Sequence, residues 1–450
     1  MFRKPLAFIL GCFLLLLTIS VSSHSLEVGS KSVVNIPGQL QAANNVVFSR
    51  DGHYGFVASY QRADGSVGDT VYSFDTTTGN IVDEKRVSFS PTAIVINKDT
   101  GTMVVSGSVA DSPAQAQLYI LRANERGKFS DETTVASIEV PMVGTNDWVP
   151  DQVALTNTGY AIYSNKSSIY VFRTSESLTQ HRGEIVHTEK IFPIERYGAD
   201  NRLISIDYHP ASGTLAAIWQ KGNEAFSILL YQIDHSNGRL SPLVINPTSS
   251  PANEIVLPLG EVIGLGSNIA FNNTGTELYL VAGSSGNLYS YAIYESAGLV
   301  VKARFQLMAS GAVQSTLTSP RNLVYRQVPL PGGGTQPILF MTRPRGIQRP
   351  GNIKPNAVVV VDPGTANVIS AHLFEETEGM TTALSADGTT AYIVMSEGNF
   401  YLFDILLGEM RTITPLTPGT LTLALDDITG LLAATTTQPS AGTVNLIKIK

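Results

Sequence analysis

Carboxylates and guanidinium groups recur in the polar stretches of this 450-residue chain, and they are its residue types with the widest chemical reach. Asp147, Trp148 and Asp151 fall within the stretch TNDWVPDQ; Arg202 follows Asp200 and Asn201; Arg321 precedes Asn322; Glu378 ends a run that begins Glu375-Glu376. An acid and an Arg brought to one place can hold an acid-bearing ligand, or abstract a proton beside a carboxylate that the Arg steadies. Trp148 offers a face on which a sugar or aromatic ring can stack, and serves equally as a filler between packed sheets. The same charges serve equally as solvated loop charges and ion pairs. Their chemistry depends on whether the fold brings them together.

A second cluster is basic. Arg343, Arg345, Arg349 and Lys354 share a stretch with Pro344, Pro350 and Pro355 and no acid. A segment of this kind is expected as an extended, positively charged loop, suited to an anionic protein, polysaccharide or membrane surface or simply to solvent. The histidines form no ligand pattern: His181 and His187 are six apart, neither the strand spacing of two nor the helical spacing of four. Gly332-Gly333-Gly334 follows a proline and lacks the Lys-Ser/Thr of a phosphate loop, and no Gly-x-Ser-x-Gly elbow occurs. Nothing in these residues implies a metal or a cofactor.

Composition narrows the setting. Only 15% of residues are charged and the net charge is −7, which excludes a broad basic footprint for nucleic acid. Arg3 and Lys4 precede an uncharged apolar run from Leu6 to Ile19, and Ser20, Ser22 and Ser23 follow. That order is the three-part plan of a secretory signal, so residues 1–23 are expected to be removed and 24–450 to form one exported domain, periplasmic or secreted. Cleavage takes the single cysteine, Cys12, and leaves a net charge of −9. No second apolar run is long enough to span a bilayer, so the remainder is expected not to be integral to a membrane.

The elements that must position these residues repeat along the chain. VVFSRDGHYGFVASY is followed by TVYSFDTTTGNIVDEKRV, and the same phrase returns as NIAFNNTGTELYLVAG with NLYSYAIYESAGLV and as TTALSADGTTAYIVMS with NFYLFDILLGEMRTI. Runs of β-branched and aromatic residues between Asp-Gly or Thr-Gly turns read as consecutive antiparallel strands. Gly52, Gly101, Gly159, Gly213, Gly275, Gly333, Gly388 and Gly430 mark the first hairpin of each unit, 54 residues apart on average. A tight hairpin demands positive φ at such a place. Units of four strands at this period are blades of an all-β propeller: eight four-stranded blades, or seven if the weak units around Gly159 or Gly333 are insertions. The last unit has three strands before the chain ends, and SKSVVNIPG at residues 30–38 is expected to join it and close the ring.

The phrases Val47-Phe48-Ser49-Arg50-Asp51-Gly52 and Leu384-Ser385-Ala386-Asp387-Gly388 resemble repeats of the YVTN and lactonase-like propeller superfamily. The resemblance implies a fold, since that group includes lactonases, muconate-cyclising enzymes, surface proteins and exported binding proteins. Phe74-Asp75 and Phe403-Asp404 resemble, faintly, quinone-dehydrogenase repeats without their Trp, and through them an exported assembly scaffold. The leading expectation is a non-catalytic module that binds a protein, small-molecule or glycan partner through the loops leading into the innermost strands. The alternative is a lactonase- or cyclase-like enzyme with an acid and an Arg at the channel mouth.

Overall fold

The computed structural model describes residues 28–37, 40, 46–61, 67–109, 112–130, 134–139, 152–165, 168–175, 182–191, 202–221, 225–244, 253–257, 269–282, 287–294, 298–306, 321–343, 346–349, 352–354, 356–374, 379–413, 415–438 and 441–449. The segment expected as a signal lies outside them. Every regular element among the described residues is a strand. Eight sheets of antiparallel strands follow in chain order as blades 1 to 8 of a propeller, so the eight-bladed expectation holds and the seven-bladed one does not. Blade 1 shows the plan, with strands Val47–Phe48, Tyr54–Gln61, Val67–Asp75 and Ile81–Arg86 paired in that order from the centre outward. Blade 8 contributes Thr420–Asp426, Leu431–Gln438 and Ala441–Ile449 from the end of the chain. Its outer strand is Val28–Ile36 from the beginning, with Val34 opposite Val444.

The core lies between blades. The strand Thr102–Val109 of blade 2 buries Met103 and Val105 against blade 1 and Val104 against blade 3, the two-residue alternation of a sheet covered on both faces. Eight apolar clusters occupy the eight successive gaps, the last joining Tyr392 and Phe400 of blade 7 to Leu432 and Ile447 of blade 8. The ring therefore closes by packing as well as by the shared sheet.

The repeated polar residues satisfy turn backbone. In blade 7 the Ser385 hydroxyl donates to Asp387 at 2.7 Å and accepts the Thr390 N–H at 3.0 Å, and Asp387 accepts the Thr389 N–H. Ser49 and Asp51 do the same in blade 1. All eight marker glycines have φ between 64° and 88°, the left-handed region that the hairpin reading required. At the second hairpin, Asp75 accepts the N–H groups of Thr77 and Thr78 and Gly79 sits at φ 73°; Asp404 and Gly408 repeat the device.

Two blades depart from the plan. The outer strand of blade 4 is split between Leu240–Pro242 and Glu254–Val256, both pairing with Ala225–Ile233. In blade 6 the basic segment expected as an extended loop instead forms a small hairpin, with Gly346–Arg349 antiparallel to Asn352–Lys354. Pro344, Pro350 and Pro355, which lack a donor N–H, all fall outside its paired residues, and Pro350-Gly351 falls between its strands.

Candidate functional site

Antiparallel order gives the ring two unlike faces. The first hairpin turns pack against one another around one face: Gly275 of blade 5 lies against His209 and Ser212 of blade 4, Gly388 of blade 7 against Arg326 of blade 6, and Gly52 of blade 1 against Asp426 and Thr429 of blade 8. The other face carries the starts of the innermost strands and the connections between second and third strands. Arg202 is the first residue of the innermost strand of blade 4, Arg202–His209, and Arg321 the first of blade 6, Arg321–Pro329. Arg321 pairs with Thr342, next to Arg343, and Arg343 pairs with Ala357 at the base of the basic hairpin, which carries Arg349 and Lys354. The fold thus places Arg202, Arg321 and this hairpin on the loop face. Asp147, Trp148, Asp151, Arg345 and Glu378 lie outside the described residues.

On the turn face, the ends of the innermost strands of blades 4 and 5 and the middle of the longer innermost strand of blade 6 enclose a recess of about 440 Å³. Its walls are Asp207, Tyr208 and His209 of blade 4, Ile269–Phe271 and the turn residues Asn272 and Asn273 of blade 5, and Leu323–Arg326 of blade 6. Each wall is strand because its residues alternate between the gaps on either side. After an irregularity between Leu203 and Ser205, Ile206 and Tyr208 pack toward blade 3, which leaves Asp207 and His209 on the side of blade 5.

Asp207 is held by backbone. Hydrogen bonding from the N–H of Phe271, across the blade boundary, and from the N–H of Tyr208 at 3.1 Å favours its charged form. Burial opposes them more strongly and pushes the carboxyl up to about 6, while part of its surface stays open to the recess. Gln152 of blade 3 uses the same device, accepting the N–H of Ile206 on blade 4. His209 is fully engaged: Nδ1 accepts the Ser212 N–H at 3.1 Å, which makes Nε2 the donor to the Asn273 carbonyl at 3.1 Å. It is a strut between two turns. The Tyr325 hydroxyl accepts from Gln327 at 2.6 Å and its ring stacks on Tyr279, centroids 5.8 Å apart. Asn272 spends its side-chain oxygen on the N–H groups of Thr276 and Glu277. The exposed Arg326 guanidinium donates to the carbonyl of Tyr325 at 3.0 Å.

Sequence reading looked to the loop face and missed this recess, although a signal was present. Aligning the eight innermost strands on the residue that opens the turn puts Val47, Val95, Ala154, Asp207, Ala270, Val328, Ala383 and Ala424 at one position. Seven blades place a small apolar residue there. Blade 4 alone places a charge. One residue nearer the turn every blade is apolar, and Arg326 stands within the longer innermost strand of blade 6, four residues before its turn opens at Leu330. Among the described residues no group of three or more His, Cys, Asp or Glu is arranged to hold a metal ion.

No protein-family model and no curated protein sequence matches the chain. Solved structures do. BamB from Moraxella catarrhalis is similar over 94% of this chain and 99% of its own, with a TM-score of 0.54 and 11% identity. The β-propeller domain of Cps50 (Swd1) from Myceliophteria thermophila is similar over 94% of this chain and 100% of its own, at 0.50 and 11%. A candidate 6-phosphogluconolactonase from Bacteroides fragilis is similar over 82% and 96%, at 0.49 and 14%. These likenesses are of fold alone: the chain is an eight-bladed β-propeller.

Proposed function

We propose that the chain is an exported propeller that binds a macromolecular partner through its loop face and performs no chemistry there. The observation that carries this reading is the asymmetry of the ring. The turn face is built of hairpins in which Ser49, Asp51, Asp75, Ser385, Asp387 and Asp404 accept from the backbone of their own turns. The loop face has the long connections and the only hairpin inserted into a blade among the described residues, with a basic residue at each of Arg343, Arg349 and Lys354. On a chain of net charge −7, four cations within twelve residues favour an anionic partner, drawn in electrostatically. The propeller fold of the structural neighbours is compatible with a binding role.

The test uses the full chain carrying a C-terminal tag. Sequencing of the exported product is expected to find a new N-terminus near residue 24, and an intact N-terminus on cell-associated protein overturns the export reading. Cross-linking of the wild type and of a variant with Arg343, Arg345, Arg349 and Lys354 all changed to Gln is expected to give adducts lost with the variant and suppressed by salt. Unchanged adducts overturn the loop-face reading.

A second reading draws on Asp207 and Arg326, a carboxylate and a guanidinium lining one recess. That is the pair a lactone-opening or muconate-cyclising enzyme requires, with Asp207 as base and Arg326 steadying the acid. Turnover of a lactone by the wild type and its loss in Asp207→Asn would establish it.

A further inference from the structure

The turn-face recess is distinct from the loop-face surface just described, and among the described residues its two charged groups are not engaged with each other or with other ions. Among the described residues no cationic side chain pairs with Asp207, whose carboxylate takes only backbone N–H bonds. Arg326, across the recess on blade 6, is tied among the described residues to the carbonyl of its neighbour Tyr325. Between them, blade 5 contributes a floor of Ile269, Ala270 and Phe271, with no ionisable group, and Leu323 completes the apolar part. An unpaired acid in such a wall is costly to the fold, and the seven other blades avoid it. A ligand that brings a cation to Asp207 removes that cost, and one that also carries a carboxylate meets the planar donors of Arg326. The volume is that of a small-molecule site.

We infer that the recess binds a small zwitterion, an amino acid with its ammonium and carboxylate separated by a short aliphatic chain, the ammonium against Asp207, the chain over Phe271 and Leu323, and the carboxylate against Arg326. The aliphatic stretch gains from the apolar floor, and the two charged ends fix its direction. A monofunctional amine or acid satisfies one wall and leaves the other charge as it was.

Isothermal titration of the full chain with ω-amino acids from glycine to 6-aminohexanoate, and with propylamine, butyrate and phosphoethanolamine as controls, tests this. At least one amino acid is expected to bind ten-fold or more tightly than propylamine and butyrate. Asp207→Asn and Arg326→Gln are each expected to weaken it ten-fold or more. The Arg326 variant alters an exposed side chain and keeps the test valid if the Asp207 variant fails to fold. Absence of binding by every amino acid, equal binding by propylamine, or an unaltered affinity in Arg326→Gln overturns the inference. Tighter binding of phosphoethanolamine than of any amino acid overturns the carboxylate assignment. Because none of these probes reports on the loop face, the outcome is independent of partner docking there.

Discussion

Lys98 Nζ lies 3.0 Å from Asp426 Oδ1, although 328 residues separate the two in sequence and a whole blade separates them in space. Lys98 belongs to the first turn of blade 2 and Asp426 ends the innermost strand of blade 8, so the pair spans the corresponding turn of blade 1. The Asp426 side chain is fully buried and also accepts the Thr429 N–H at 3.0 Å and the Thr429 hydroxyl at 2.6 Å. Burial raises its carboxyl, but the Thr429 bonds and Lys98 outweigh burial and hold it below the ordinary carboxylate value of 3.8. A folded-state value below the unfolded one means that this site stabilises the ring above about pH 4 and ceases to as pH falls through the folded value. Lys98→Met is expected to cost about 1–2 kcal/mol at pH 7, and Asp426→Ala, which also strands Thr429, about 2–4 kcal/mol. Urea unfolding of the two single variants and the double variant measures the coupling. Strictly additive losses would remove the pair from the account of ring closure.

Gly52 sits over that pair, and its substitution is expected to be worse than that of an equivalent glycine elsewhere. A Cβ on Gly52 would stand 2.1 Å from Asp426 Oδ2 and 2.5 Å from the Thr429 methyl, in addition to needing φ 68°. Gly333 has φ 88° with nothing within 4 Å of a Cβ. Gly333→Ala carries only the conformational cost of a left-handed residue, about 1–2 kcal/mol. Gly52→Ala adds steric displacement of a buried carboxylate and is expected to exceed it by at least about 2 kcal/mol. Thermal or urea unfolding of the two variants ranks them, and equal losses would mean that the blade 1 turn can shift freely.

The marker glycines were legible because each one solves a local problem, a positive φ in a hairpin, and eight such solutions at one period define the ring. The closing strand was legible because a final unit of three strands leaves Val444 and its neighbours without a partner. The contacts between blades were not. Lys98 with Asp426, His209 with Asn273 and Gln152 with Ile206 join residues whose sequence neighbourhoods are ordinary turns or strands, and no periodicity encodes which turn will abut which. Asp207 lay between these extremes. Its charge in a strand is visible, but its meaning appears only when the eight innermost strands are aligned on their turns, since the turns differ in length. Proline content suggested an extended loop in blade 6, whereas three prolines placed outside a pairing register leave room for a hairpin.

Blade 6 also breaks the glycine rule at its second turn. Asp362 accepts the N–H of Gly364 at 2.7 Å and of Thr365 at 3.3 Å, as Asp75 and Asp404 do in their blades, but the left-handed position is Ala366, with φ 57°. Gly79 and Gly408 hold the equivalent place with the same backbone bond to the turn aspartate. Ala366→Gly is expected to relieve the Cβ strain and raise stability by about 0.5–1 kcal/mol, net of the entropy that glycine adds to the unfolded chain. Gly408→Ala is expected to lower it, both because of its φ and because a Cβ there meets Ser370 at 3.1 Å. Denaturant midpoints of the two variants should move in opposite directions.

Asp207 predicts a pH dependence of opposite sign to that of Asp426. Burial raises its carboxyl to about 6 from an ordinary 3.8, so between these values the folded chain holds a proton that the unfolded chain has released. Stability from this site is therefore fully present below about pH 4, falls as pH rises, and reaches its minimum above about pH 6. The whole shift corresponds to about 3 kcal/mol, and the part of the carboxyl open to water reduces the expected effect to about 1–2 kcal/mol. Asp207→Asn keeps an oxygen that can accept the Phe271 N–H and removes the charge, so the variant should gain on the wild type by that amount between pH 4 and pH 7.5. Taking the difference between the two proteins at each pH cancels the titration of every other group they share. Urea unfolding at four pH values across this range gives the curve, and a variant offset by a constant amount at every pH would show that the Asp207 carboxyl is not held unpaired in the recess wall.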